Sequence, residues 1–191
     1  MSSPIRFEAR LLRPADLGAA ADWGFVVLPP EASALLPRRG RTTVDGRLNG
    51  ADGRLNGAAF RATLEPDGHL SHWLRVDGAL ISAARAVFGA LVRVELRPVV
   101  PEPEPEVPGD LQDALAANPG ARAVWEATTT LARVDWIHWI TSAKRGETRA
   151  KRIRAACDKL AAGERRVCCF DPSGCRSRAF GAPTAAEEEN S

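Results

Sequence analysis

The stretch WIHWITSAKRGETRAKRI, residues 136–153, decides how the C-terminal half of the chain folds. Its first part is apolar and its second part is basic, and Gly146 separates the two. Over residues 131–143 the apolar side chains would cover more than half the circumference of a helix, which is typical of a buried central helix. The sequence therefore predicts a buried helix, a break at Gly146, and a basic helix that ends near Gly163.

The basic helix presents one strip of arginines, Arg145, Arg149 and Arg152, with no acidic residue four positions away on that strip. Guanidinium groups suit phosphate, and the start of a helix attracts anions. We therefore assign a candidate anion- or partner-binding role to Lys144, Arg145, Thr148, Arg149 and Arg152. The alternative is that the strip docks on the acidic residues 101–130, whose net charge of −5 complements the +6 of residues 131–166.

Residues 1–98 have the pattern of a small β domain. Residues 5–11 alternate apolar and charged side chains, residues 23–28 form a continuous apolar run, and Pro66-Asp67-Gly68 has the composition of a tight turn. Six such strands with two short helices predict a small closed barrel.

A tandem repeat interrupts this domain: GRLNGAD at 46–52 is followed at once by GRLNGAA at 53–59. Seven extra residues inside a paired strand would exchange its core and solvent faces. Each copy also carries Asn-Gly, a strong turn signal. We therefore predict a looped-out, mobile hairpin tip over residues 46–57, without a function of its own.

A linker and a tail flank the helical region. Residues 99–109, VVPEPEPEVPG, alternate proline and glutamate, which favours an extended, semi-rigid connection between domains. Residues 110–166 predict a domain of about four helices, and Asp110 is a candidate N-cap of its first helix. Residues 167–191 form a cysteine-containing tail, whose acidic end GAPTAAEEENS predicts disorder.

Composition bears on several classes of protein. No apolar run is long enough to cross a membrane, and the first residues lack the apolar core of a signal peptide. The four cysteines crowd near the C-terminus without a CxxC pair, so we expect a cytoplasmic protein with free thiols. His69 and His72 would lie on opposite faces of a strand, which suits no single metal ion. The sequence thus assigns no catalytic residue, no metal and no cofactor.

Residues 136–153, together with NPGARAVWE at 118–126, resemble the signature of the YdeI/OmpD-associated family, also called the bacteriocin-protection family. The N-terminal half resembles a barrel domain of unknown function that is often fused to it, through FEARLL, WGFVVLP, GRTTVDGRLNG, FRATLEPDG and GALVRVEL. The resemblance implies a double-split type β-barrel followed by a helical hairpin. It implies no defined activity.

These observations predict an α+β protein in which a six-stranded barrel precedes a helical domain. The leading hypothesis is a non-catalytic binding or stress- and bacteriocin-protection module that acts through the basic helix. One alternative is a regulatory protein that binds nucleic acid, and a second is an enzyme with a small-molecule pocket in the barrel. We expect an anionic ligand or nucleic acid as the partner, no membrane, and a monomer or weak dimer.

Overall fold

The computed structural model describes residues 3–17, 20–49, 57–168, 170–176 and 180–186. Two compact units divide the chain. The first comprises Met1–Val100 together with Ser173–Ser191, and the second comprises Pro101–Pro172. The first unit holds the strands and the second holds the longer helices, so the predicted α+β class, with a six-stranded domain before the helices, is confirmed.

The first unit is a six-stranded antiparallel sheet that curls into a half-barrel, with strand order β1-β6-β3-β4-β5-β2. An isolated bridge between Leu12 and Phe25 links its two edges. In chain order the elements are β1 (Ile5–Arg10), β2 (Trp23–Val27), α1 (Pro30–Ala34), β3 (Thr42–Asn49), β4 (Ala58–Pro66), β5 (His72–Asp77), α2 (Gly78–Ala84) and β6 (Leu91–Pro98).

Alternation along each strand separates an inner apolar face from an outer polar face. Val44, Leu64 and Leu96 point inward and are fully buried. Gly46 lies on the same inner face opposite Phe60, and a Cβ on Gly46 would approach the ring to 2.3 Å. The glycine therefore makes room for the aromatic ring inside the sheet.

The strands also locate the tandem repeat. Strand β3 continues to Asn49, with Arg47 opposite Ala59 and Leu48 opposite Ala58 in β4. The first four residues of the repeat are thus ladder-paired, and the prediction that the tip begins at residue 46 is wrong. These residues keep the inward and outward alternation of the strand, so the pairing continues at no cost to the core. Residues 50–56 lie outside the described part of the chain.

The second unit contains four longer helices, α3 (Gly109–Ala116), α4 (Pro119–Glu126), α5 (Thr130–Thr141) and α6 (Gly146–Ala161). The predicted central helix is α5, whose Trp136 and Ile140 are fully buried. Asn118 caps α4 by accepting the Ala121 amide at 3.0 Å. The N-cap of α3 is Pro108 rather than the predicted Asp110, which lies in the first turn instead.

The tail prediction is wrong for residues 181–186, which return to the first unit. The Ala15 amide donates to the Thr184 carbonyl at 2.9 Å, and the Ala186 amide donates to the Arg13 carbonyl at 2.8 Å. These backbone hydrogen bonds need no apolar side chain, so composition gave no sign of them. Residues 187–191 lie outside the described residues.

Candidate anion-binding site at the start of α6

The start of α6 exposes the positive end of a 16-residue helix. Arg145 occupies the N-cap position with an extended backbone (φ −119°, ψ 140°), and its side chain makes no capping hydrogen bond. An N-cap residue normally provides an oxygen for the first amides of the helix, and an arginine has none to offer. The first turn of α6 therefore keeps amide donors that a bound anion could satisfy.

Arg149 is committed to a contact inside the helical unit. Its guanidinium binds the Asp110 carboxylate through two atoms, Nε at 2.6 Å and Nη2 at 2.9 Å. This hydrogen-bonded pair lowers the pKa of Asp110 and raises the pKa of Arg149. Asp110 belongs to the acidic residues 101–130, so at Arg149 the alternative of docking on that segment holds.

Arg152 performs a second structural task. Its Nη1 donates to the Trp139 carbonyl and, at 3.0 Å, to the Ser142 hydroxyl. Its guanidinium also lies 5.5 Å from the centre of the Trp139 ring. The arginine thereby satisfies a free carbonyl at the C-terminus of α5, where a cation is favoured. Arg152 fixes the corner between α5 and α6 and is half-buried there.

Lys144, Arg145 and Thr148 remain exposed around the first turn of α6. Among the described residues, neither Lys144 nor Arg145 forms an ion pair. The nearest acid in sequence, Glu147, is bound to Lys151 at 2.8 Å. The five predicted residues thus separate into three that face solvent and two that hold the helices together.

The acidic linker supplies a second internal clamp. Glu104 accepts hydrogen bonds from Arg133 Nε at 2.5 Å and Nη2 at 2.8 Å, and from the Thr130 hydroxyl at 3.0 Å. The Arg133 bond is the main reason that the pKa of Glu104 is lowered. Part of the negative charge of residues 101–130 is therefore used to hold the linker against α5.

A buried Ser–His pair lies in the first unit and was missed by sequence reasoning. The Ser33 hydroxyl lies 2.8 Å from His72 Nδ1, and His72 Nε2 lies 3.0 Å from the Gly40 carbonyl. The carbonyl can only accept, so Nε2 carries the proton and Nδ1 accepts from Ser33. Both side chains are at most 1% exposed, and burial lowers the pKa of His72. With no exposed surface, the pair has a structural role.

The remaining titratable candidates among the described residues include His138, Cys157, Cys168 and Cys175. His138 is buried and meets the Phe170 ring edge-on at 5.3 Å between centroids. Burial raises the pKa of the Cys157 thiol, while Cys168 and Cys175 are exposed. Among the described residues, no three His, Cys, Asp or Glu side chains come together as metal ligands. In the same part of the chain, no helix is both long and apolar enough to span a membrane.

Two family models match the chain. Residues 104–163 match the bacteriocin-protection, YdeI or OmpD-associated family, and residues 7–96 match a domain of unknown function, DUF1905. A comparison with curated proteins gives no match. The first match covers all four helices of the second unit, and the second covers all six strands except Ile5 and Arg6 of β1 and Arg97 and Pro98 of β6. Residues 7–96 are thus similar to the DUF1905 domain, and residues 104–163 are similar to the bacteriocin-protection, YdeI or OmpD-associated family.

Proposed function

We propose that this protein is a non-catalytic binding module whose helical domain contacts an anionic ligand through the start of α6. One observation carries the proposal: the N-cap of α6 is an exposed arginine that caps nothing, beside the exposed Lys144. Free amides and two cations in one place favour an anion.

Arg149 and Arg152 act in this proposal as positioning residues. Arg149 ties α6 to α3 through Asp110, and Arg152 ties it to the end of α5. Both contacts hold the first turn of α6 at a fixed angle, so little ordering is needed when an anion binds. The family description supports a biological role in protection against bacteriocins, which we place in the cytoplasm as part of the same proposal.

The proposal is tested by titrating the full chain with inorganic phosphate and following its amide NMR signals. We expect saturable shifts at Gly146, Glu147 and Thr148, whose amides belong to the first turn. Lys144→Ala/Arg145→Ala should weaken the binding about tenfold, because it removes both exposed cations.

The matched control is Arg122→Ala/Arg154→Ala, which removes two exposed charges elsewhere in the same unit. It should leave the phosphate titration unchanged. Equal loss in both double variants would mean that only net charge matters, and absence of local shifts in the wild type would remove the site.

A further inference from the structure

The outer face of the half-barrel is rich in arginine on four neighbouring strands, β1, β6, β3 and β4. The alternation that turns the apolar side chains inward turns the charged ones outward. Six outward arginines oppose four outward carboxylates: Arg6, Arg10, Arg47, Arg61, Arg93 and Arg97 against Glu8, Asp45, Glu65 and Glu95. A seventh arginine, Arg41, is bound to Glu65 at 2.8 Å. The face therefore carries three more arginines than carboxylates.

Each carboxylate on this face is already bound by an arginine. Glu8 binds Arg93 at 2.7 Å, across the β1–β6 pairing. The Asp45 carboxylate accepts hydrogen bonds from Arg61 Nε at 2.7 Å and from Arg61 Nη2 at 2.9 Å. Because the acids are occupied, they compete little for the remaining arginines.

Three arginines account for the excess of positive charge on this face. Arg10 donates to the neutral Gly89 carbonyl at 2.6 Å, and Arg47 donates to the Gly57 carbonyl at a long 3.4 Å. Arg97 reaches Glu95 only at 3.6 Å, since that carboxylate is bound more closely, at 2.9 Å, by Arg6. Each of the three keeps positive charge and free N–H groups at the surface.

Two of these arginines share a concave site. A shallow groove of about 440 Å³ is lined by Arg47, Arg61 and Arg97 together with two carboxylates, Asp45 and Glu95. Arg61 binds Asp45 and Arg6 binds Glu95, so both carboxylates are already paired. A guanidinium presents a planar fork of donors that matches a phosphate. The groove thus offers a place for a phosphate group between Arg47 and Arg97, whose guanidinium groups are held only by long contacts.

An aromatic surface adjoins this face on the next strand. Trp73 of β5 stands opposite Glu65 of β4, on the outer face, and is half-buried. Phe25 holds it edge-on, with 6.2 Å between ring centroids. Arg61 and Glu65 are four residues apart on β4, so the indole lies about 13 Å along the sheet from the groove. Arginines that track a backbone beside an aromatic ring are typical of surfaces that bind single-stranded nucleic acid.

We infer that the outer face of β1, β6, β3 and β4 binds single-stranded nucleic acid, with phosphates at Arg47 and Arg97 and a base stacked on Trp73. A duplex keeps its bases stacked on each other and cannot use the indole. This surface lies in the first unit and is independent of the start of α6.

The experiment measures fluorescence anisotropy of a labelled 20-nucleotide oligothymidine, and of a 20-base-pair duplex, as the full chain is added. Arg47→Ala/Arg97→Ala should weaken binding of the single strand about tenfold. It should also lower the slope of log K against log salt by about 1.4, because each contact to a single strand contributes about 0.7. Trp73→Leu should weaken binding of the single strand severalfold and leave the affinity for the duplex unchanged. Thermal unfolding of each variant checks that the fold is kept.

Three controls decide the outcome. Arg47→Lys/Arg97→Lys keeps the charge and should recover part of the affinity, and Arg122→Ala/Arg154→Ala should bind like the wild type. Lys144→Ala/Arg145→Ala locates the ligand, and it should lose less affinity for the single strand than Arg47→Ala/Arg97→Ala does. If that variant alone loses binding, the ligand uses α6, which overturns this inference while supporting the proposed function. Absence of binding by the wild type, or tighter binding of the duplex, also overturns it.

Discussion

The two units of this protein use the same residue type in opposite ways. On the half-barrel, Arg61 and Asp45 pair across neighbouring strands with side chains 62% and 51% exposed. In the helical unit, Arg133 is only 15% exposed and binds a carboxylate 29 residues away, while Arg152 is half-buried against a tryptophan. Exposed pairs contribute little to stability, whereas a half-buried arginine satisfies polar groups that are partly shielded from water. The number of arginines therefore does not predict whether an arginine forms a surface pair or a structural contact. Its burial and its partner decide between these two roles.

The largest effect is expected for Arg152→Ala. It leaves the Trp139 carbonyl and the Ser142 hydroxyl without this donor at a half-buried corner, which should lower the free energy of unfolding by about 2 kcal/mol. Urea unfolding of the full chain measures the loss. Arg61→Ala, on the exposed sheet face, is the matched change and should lower the free energy of unfolding much less, because solvent screens its pair with Asp45. An equal decrease in the free energy of unfolding in both variants would contradict this difference between the two units.

A smaller effect is expected for Asp110→Asn, which removes the charge that Arg149 binds. Asp110 is 45% exposed, so solvent screens the pair and the loss should be about 1 kcal/mol. Hydrogen exchange should show faster opening at the start of α3 and at α6, with the strands unchanged. A change spread over both units would contradict this assignment.

As the pH falls, the half-barrel should lose stability before the helical unit does. The pKa of buried His72 is lowered from 6.5, so the unfolded state binds more protons as pH falls below that value. The half-barrel is therefore most stable above pH 6.5 and loses stability below it, until the pH reaches the native pKa. The pKa of Asp110 is lowered from 3.8, so its contribution to the helical unit is complete above that pH and is lost only in stronger acid.

Hydrogen exchange followed by mass spectrometry measures this order, because it reports on each unit separately. Between pH 7 and 4, exchange free energies should fall in the strands before they fall in α3 and α6. His72→Gln should remove the pH dependence of the strands in that interval. If the exchange free energies of both units fell at the same pH in the unchanged protein, neither His72 nor Asp110 would control the stability of its unit.

Local patterns predicted the elements and some of their environment. Alternation found the strands of the half-barrel, and the wide apolar arc of residues 131–143 found the buried α5 with Trp136 at its centre. Both patterns repeat within a few residues, so one segment contains the whole signal. The start of the predicted hairpin tip was wrong, because the first residues of the tandem repeat continue the pattern of strand β3.

Contacts between distant segments were beyond the same reasoning. Arg149 and Asp110 are 39 residues apart, as are Ser33 and His72, and nothing periodic connects either pair. Opposite net charges of two segments indicated that docking could occur, but not which arginine would take part. The candidate site was therefore predicted as a group of five residues. Which of them are exposed and which hold the helices together depends on contacts between distant segments, which the structure shows.

The pairing of residues 184–186 with residues 13–15 has a mechanical consequence. The described chain begins and ends in the same unit, so the helical domain is inserted between two parts of the half-barrel. A fragment that stops at residue 172 keeps the described helices but deprives the half-barrel of its closing segment. A force that pulls on the two ends is carried first by the hydrogen bonds of Ala15 and Ala186, and the helices feel no load until those bonds give way.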